Sequence, residues 1–142
     1  MSIKEKGILW VVRILMVCFA VVGLIFLLFP EGTLRAVNQA GALLGDFHPV
    51  VTATNRFWLS LTFAFMVSVT GIAYFIQKDL ERYGNLLILL ALAKAASSLS
   101  CLAFYFTSAH AFVYLLNFAI DGSIALISLI CYLLLRQEDN VE

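Results

Sequence analysis

At 142 residues, 63% hydrophobic and 13% charged, the chain lies outside the range of ordinary soluble domains, which run at about 45–50% apolar and 25% charged. Its formal net charge is zero and no basic patch occurs, which argues against nucleic-acid binding. Cys18, Cys101 and Cys131 fall inside apolar runs without paired spacing, so a disulfide framework or a zinc site is not expected, and all three read as small core residues.

The charges are segregated and leave four apolar runs, at 8–29, 57–76, 86–106 and 112–135. Each reaches the roughly 20 residues that an α-helix needs to cross a hydrocarbon core. Transmembrane strands would show alternating segments of about 10 residues, and these runs are continuous. The expected fold is an all-α, four-helix transmembrane bundle forming one membrane domain over 1–142.

The first run follows the basic start MSIKEKG, as a signal peptide would. It exceeds the roughly 7–15 residues of a signal h-region and ends in Phe29, Pro30 and Glu31 without a small-residue cleavage site, so it reads as a retained helix. Arg13 lies within it and is expected to snorkel to inner-leaflet phosphates, the alternative being that it turns inward towards the bundle. Pro30 is expected to end the helix.

Residues 30–55 form a connection far longer than the usual median of about 4–6 residues. Within it, Leu34, Val37 and Leu44 recur at helical spacing, with Gly41 on the same stripe. That pattern predicts a short amphipathic helix lying in the outer interface or capping the bundle. Gly41 weakens the prediction, because glycine inside a helix costs about 1 kcal/mol relative to alanine. Asp46, Phe47, His48 and Pro49 read as a turn, and Thr54 and Asn55 offer a cap ahead of Arg56. Arg56 is a candidate outer-side anchor or ligand group, within reach of Asp46 or Glu31. His48 and His110 also fall in outer loops, too few for a metal centre.

The second run carries a stripe of small residues, Ser60, Ala64, Ser68 and Gly71, expected to face a neighbouring helix. The short charged loop QKDLERYGN turns the chain into the third run as an antiparallel hairpin. In that third run Ala93, Ser97 and Cys101 form an i, i+4 row, which predicts the centre of the bundle. Thr107, Ser108, Ala109 and His110 make a tighter turn into the fourth run, and the Leu- and Phe-rich faces of the first and fourth runs are expected to meet lipid.

Basic residues fix an expected orientation. Lys4, Lys6, Arg13, Lys78, Arg82 and Arg136 fall on one side, while the other has Arg35 and Arg56. The positive-inside rule makes the first side cytoplasmic, with both termini there. Trp10, Tyr74, Tyr83 and Tyr132 near the inner helix ends, and Trp58, Tyr105 and Tyr114 near the outer ends, match aromatic belts.

Two ionisable residues lie deep inside apolar runs, Lys94 in the third and Asp121 in the fourth. Reflecting Lys94 through a turn centred on Thr107 and Ser108 lands on Asp121, so both are expected at one depth. Each alone would cost roughly 2.5–3.5 kcal/mol at a helix centre, and pairing removes most of that. Ser97, Ser98, Asn117 and Ser128 extend the same faces and are expected to satisfy the remaining donors and acceptors. The group reads as a structural clasp, as the polar end of a pocket for a small amphiphile, or as a proton relay, which no second carboxylate or histidine continues.

No Ser-His-Asp order, HExxH, Walker loop or GxGxxG occurs, so a non-enzymatic protein without cofactor or metal is expected. The leading expectation is an accessory or scaffold component that associates with other membrane proteins in the lipid bilayer. The alternative is a binder or carrier of a lipid or quinone-like molecule at the Lys94–Asp121 level.

The segment RILMVCFAVVGLIFLLFPEG, the long outer loop, NRFWLSLTFAFMVSVTG and a short-loop hairpin together resemble the small bacterial DoxX-like four-helix membrane proteins. Arg13, Pro30, Asn55, Arg56 and Asp121 carry the resemblance, which spans nearly the whole chain. It implies a bacterial inner-membrane protein of accessory character. In outline the chain is also similar to the eukaryotic EXPERA group, although the acidic motifs of that group are absent from its first two helices.

Overall fold

A computed structural model describes residues 3–51 and 56–139, excluding the side chains of Arg56, Glu138 and Asp139. Every element it describes is a helix: α1 (Ile3–Leu28), α2 (Pro30–Leu44), α3 (Arg56–Lys78), α4 (Leu80–Tyr83), α5 (Leu86–Thr107) and α6 (Phe112–Asp139). Of these, α1, α3, α5 and α6 are long and apolar enough to cross a membrane. This is the architecture of an integral membrane protein. Backbone groups have no water to bond inside hydrocarbon, and a helix satisfies them within its own segment.

Phe29 interrupts the helix between α1 and α2, and Pro30 opens the second helix rather than only closing the first. Proline suits the first helical turn because its missing N–H would have no intrahelical acceptor there. The Thr33 hydroxyl and amide both donate to the Phe29 carbonyl, at 2.8 and 3.0 Å, which ties the new helix to the break. The long connection is therefore mostly helical. The inner loop also holds one more turn than expected, α4, whose cap Asp79 accepts from the Arg82 amide at 3.0 Å.

The four spans form two close pairs, α1 with α3 and α5 with α6, and the pairs meet along part of their length. Ile8, Val12, Ala73, Ile76, Leu80, Leu87 and Cys131 build a core at the end that carries residue 3 and residue 139, here the termini end. Leu15, Phe19, Val69 and Leu90 continue it towards mid-span. Towards the opposite end, where α2 lies, the core thins to small residues such as Gly23, Gly41 and Ala111. No residue of α3 is buried between Phe57 and Ser68, none of α5 after Ser98, and none of α6 before Asp121.

The stripe of small residues on α3 does not pack inward. Ser60, Ala64 and Ser68 are exposed, and the helix turns Met66, Val69, Ala73 and Ile76 towards its neighbours. The row on α5 fares better, with Ala91, Lys94 and Ser98 buried and Ala93, Ser97 and Cys101 half-buried against α6. Among the cysteines only Cys131 is a core residue; Cys18 is exposed on α1.

At the α2 end, Gly41 is buried against α6, where a Cβ would stand 2.6 Å from Phe112 Cβ. The glycine that counts against a helix in isolation is what lets this one seat. The Phe47 ring lies 5.4 Å from that of Phe112, and the His48 amide donates to the His110 carbonyl at 3.0 Å. Thus α2 caps one end of α6, and residues 45–51 run back beside it. Thr54 and Asn55, read as a helix cap, lie outside the described residues.

Candidate functional site

Lys94 and Asp121 meet inside the bundle. Lys94 Nζ lies 2.9 Å from Asp121 Oδ1, and the two side chains are 4% and 7% exposed. The geometry follows from the short turn between α5 and α6, because equal numbers of residues on either side put both groups at one level. Small residues let the two helices close to that distance. Beside the pair, a Cβ at Gly122 would lie 3.0 Å from Ser98 Oγ.

Asn117, one turn from Asp121 on α6, occupies the centre of a small polar network. Its Nδ2 lies 3.4 Å from Asp121 Oδ2, 3.3 Å from Ser97 Oγ and 3.1 Å from Cys101 Sγ. Ser98 turns away from the pair and donates to the Phe118 carbonyl at 2.9 Å, locking α5 to the α6 backbone. Ser128, expected to join the polar line, is fully buried and its Oγ has no hydrogen-bond partner among the described residues. It sits too far along α6 to reach the charges.

Two aromatic rings close over the ammonium from the other helix pair. Phe19 of α1 has its ring centre 4.8 Å from Lys94 Nζ, and Phe65 of α3 lies at 5.5 Å. An ammonium against a ring face is attracted by the ring quadrupole, by roughly 2 kcal/mol or more where water is excluded. Lys94 thus joins the two pairs, bonded to α6 on one side and covered by α1 and α3 on the other. Phe19, Phe65 and Cys101 were not among the sequence candidates. Cys101 shares the i, i+4 row with Ser97, which could have pointed to it; an aromatic ring in an apolar run carries no comparable mark.

Residues outside the pair divide. Arg13 is exposed, with Nε 2.7 Å from Gln77 Oε1 and its guanidinium 5.2 Å from the Trp10 ring, so it links α1 to α3 near the termini end. Arg56 opens α3, and its side chain lies outside the described residues. His48 and His110 are both exposed, with the His110 ring 5.0 Å from that of Tyr105. No group of three or more metal-ligating side chains occurs among the described residues.

Two cavities border this framework. An apolar groove of about 240 Å³ runs between α1 and α3, and its walls include Phe19, Gly23, Met66 and Thr70. A second, of about 430 Å³, lies between α2 and residues 49–51. Chemically, the mid-span group sets a basic and an acidic side chain against each other, with Asn117 on the second carboxylate oxygen. Compared with known proteins, the chain matches no family model, no curated protein and no solved structure.

Proposed function

We propose that this chain is a non-enzymatic accessory component of a membrane assembly, of DoxX-like type, held in a bacterial inner membrane with both termini on the cytoplasmic side. The observation that supports this reading is the closure of the mid-span group. Lys94 is bonded to Asp121 and covered by two rings, and Asp121 takes its second contact from Asn117. Neither side chain lines either of the two cavities described above. What the spans do present is apolar surface, with Trp58, Leu92, Leu99 and Leu126 all exposed. The orientation rests on Lys4, Lys6, Lys78, Arg82 and Arg136 at the termini end, against Arg35 and Arg56 at the α2 end.

Purification from native membranes in mild detergent, followed by mass spectrometry, tests the assignment. Stoichiometric membrane-protein partners are expected; a protein that comes out alone overturns it. Reporter fusions at either terminus test the orientation, and a periplasmic signal at either one reverses it.

The groove between α1 and α3 favours a second reading, a carrier of a lipid or quinone-like amphiphile. Phe19 forms a wall of that groove and also faces Lys94, so an occupant would lie one ring from the charge pair. A lone protein holding such a molecule, and losing it in Asp121→Asn, would put this reading first.

A further inference from the structure

The groove beside α2 lies at the end of α1, an end that the reading of α1 as a membrane span puts at the edge of the hydrocarbon. Leu28 and Phe29 are 63% and 66% exposed there, and the chain turns directly into the first turn of α2. One wall carries two opposite charges, Glu31 and Arg35, and the rest is formed by residues such as Leu34, Ala42, Val50 and Val51. Glu31 and Arg35 stand one helical turn apart, which sets their Cβ atoms about 5–6 Å from each other. That spacing and order favour an ion pair, yet both side chains are exposed and neither has a partner among the described residues. The wall itself is pinned. Asn38 donates through Nδ2 to the Val50 carbonyl at 2.9 Å and accepts from the Val50 amide at 3.2 Å, so residues 49–51 are held alongside α2.

A pinned groove at that edge, with one anionic and one cationic side chain beside walls of mixed character in which Leu34, Ala42, Pro49, Val50 and Val51 are apolar and Asn38 and Gln39 polar, is complementary to a zwitterion on a hydrocarbon tail. We propose that it binds the phosphoethanolamine headgroup of a membrane phospholipid, Arg35 taking the phosphate and Glu31 the ammonium, with the glycerol end against Leu34 and Val50. Charge complementarity selects among headgroups. A glycerol headgroup would satisfy Arg35 through the same phosphate but offer Glu31 only neutral hydroxyls, without the charge-assisted bond of an ammonium. A choline headgroup offers no N–H to Glu31, and quaternary ammonium groups are recognised by aromatic cages, whereas no aromatic ring among the described residues lines this groove. The proposal stands whether the chain is an accessory subunit or a carrier, because it uses none of the mid-span residues.

The test is native mass spectrometry of the full-length protein in detergent, offered phosphatidylethanolamine, phosphatidylglycerol and phosphatidylcholine with identical acyl chains. Preferential retention of phosphatidylethanolamine is expected. Arg35→Gln is expected to lower that retention about tenfold, the scale of one charge-assisted hydrogen bond. Glu31→Gln is expected to bring phosphatidylethanolamine and phosphatidylglycerol to equal retention, a shift in preference that a mere loss of helix-dipole stabilisation would not give. Equal retention of all three lipids by the unaltered protein overturns the proposal. So does a preference unchanged in either variant, and so does displacement of the lipid by an equal concentration of free O-phosphoethanolamine, which would make a soluble phosphomonoester the ligand.

Discussion

Lys94 and Asp121 have side chains only 4% and 7% exposed, and the 2.9 Å contact between them is what makes that burial tolerable. Removing one partner leaves the other charged and alone in a medium of low dielectric, whereas removing both leaves apolar side chains in an apolar place. Asp121→Leu is therefore expected to lower stability by about 3 kcal/mol. The double variant Lys94→Leu/Asp121→Leu should recover most of that loss. Unfolding in a graded denaturing detergent reads both, and identical midpoints for single and double variants would sink the pairing energy. The two buried serines separate in the same assay. Ser98 Oγ bonds the Phe118 carbonyl, so Ser98→Ala should lose about 1 kcal/mol. Ser128 Oγ bonds nothing among the described residues, so Ser128→Ala removes a desolvated hydroxyl and should be neutral or stabilising by up to about 1 kcal/mol. Both serines look alike in the sequence. Only the position of a backbone carbonyl distinguishes them.

At the scale of one helix, α2 sets two principles against each other at Gly41. Helix propensity alone predicts that Gly41→Ala would stabilise by about 1 kcal/mol. Against that, the new Cβ would stand 2.6 Å from Phe112 Cβ, an atom next to the backbone of α6 that cannot swing away. Overpacking costs about 1–3 kcal/mol, so the steric term wins and the variant is expected to be less stable. Phe112→Ala opens the contact, and Gly41→Ala should then be neutral or favourable; a thermal melt of all four proteins gives the sign. This element also shows what periodicity reveals. The apolar stripe of Leu34 and Val37 was visible because polar residues mark the other face of a helix at an interface. No such mark exists on α3, where both faces are apolar. Lipid is as apolar as a neighbouring helix, so the sequence pattern does not say which side packs. Ser60, Ala64 and Ser68 accordingly face outward although they look like a packing seam. By contrast, the Lys94–Asp121 contact was legible because charge inside hydrocarbon has very few allowed arrangements and a short turn fixes the register.

Across the whole molecule, the distribution of buried residues divides the bundle by depth. The largest fully buried apolar side chains, Val12, Ile76, Leu87, Leu90 and Val69, all lie between the termini end and mid-span, where the two helix pairs are packed together, whereas at the α2 end the small Ala111 is fully buried. At the level of Lys94 and Asp121, Phe19 and Phe65 over the ammonium bridge the two pairs, and beyond it, among the described residues, α2 joins α1 to α6 through Gly41 against Phe112. Stability should follow the same division. Leu90→Ala, at a fully buried position, is expected to cost about 2–5 kcal/mol, whereas Leu116→Ala, at a half-buried one, should cost roughly 1 kcal/mol or less. Motion should follow it too, since local opening draws on regions with few buried apolar contacts. Spin labels on exposed positions can read this directly without disturbing the core. A pair at Tyr74 of α3 and Ile88 of α5 reports on the packed half, and a pair at Leu61 and Phe104 reports on the other. Double electron–electron resonance in nanodiscs is expected to give a narrow distance distribution for the first pair and a broad one for the second. Replacing Lys94 together with Asp121 by leucine removes the bridging ammonium and should broaden the second distribution further while leaving the first unchanged. Equally narrow distributions at both levels would show that lipid or helix packing holds the α2 end as firmly as the core holds the other.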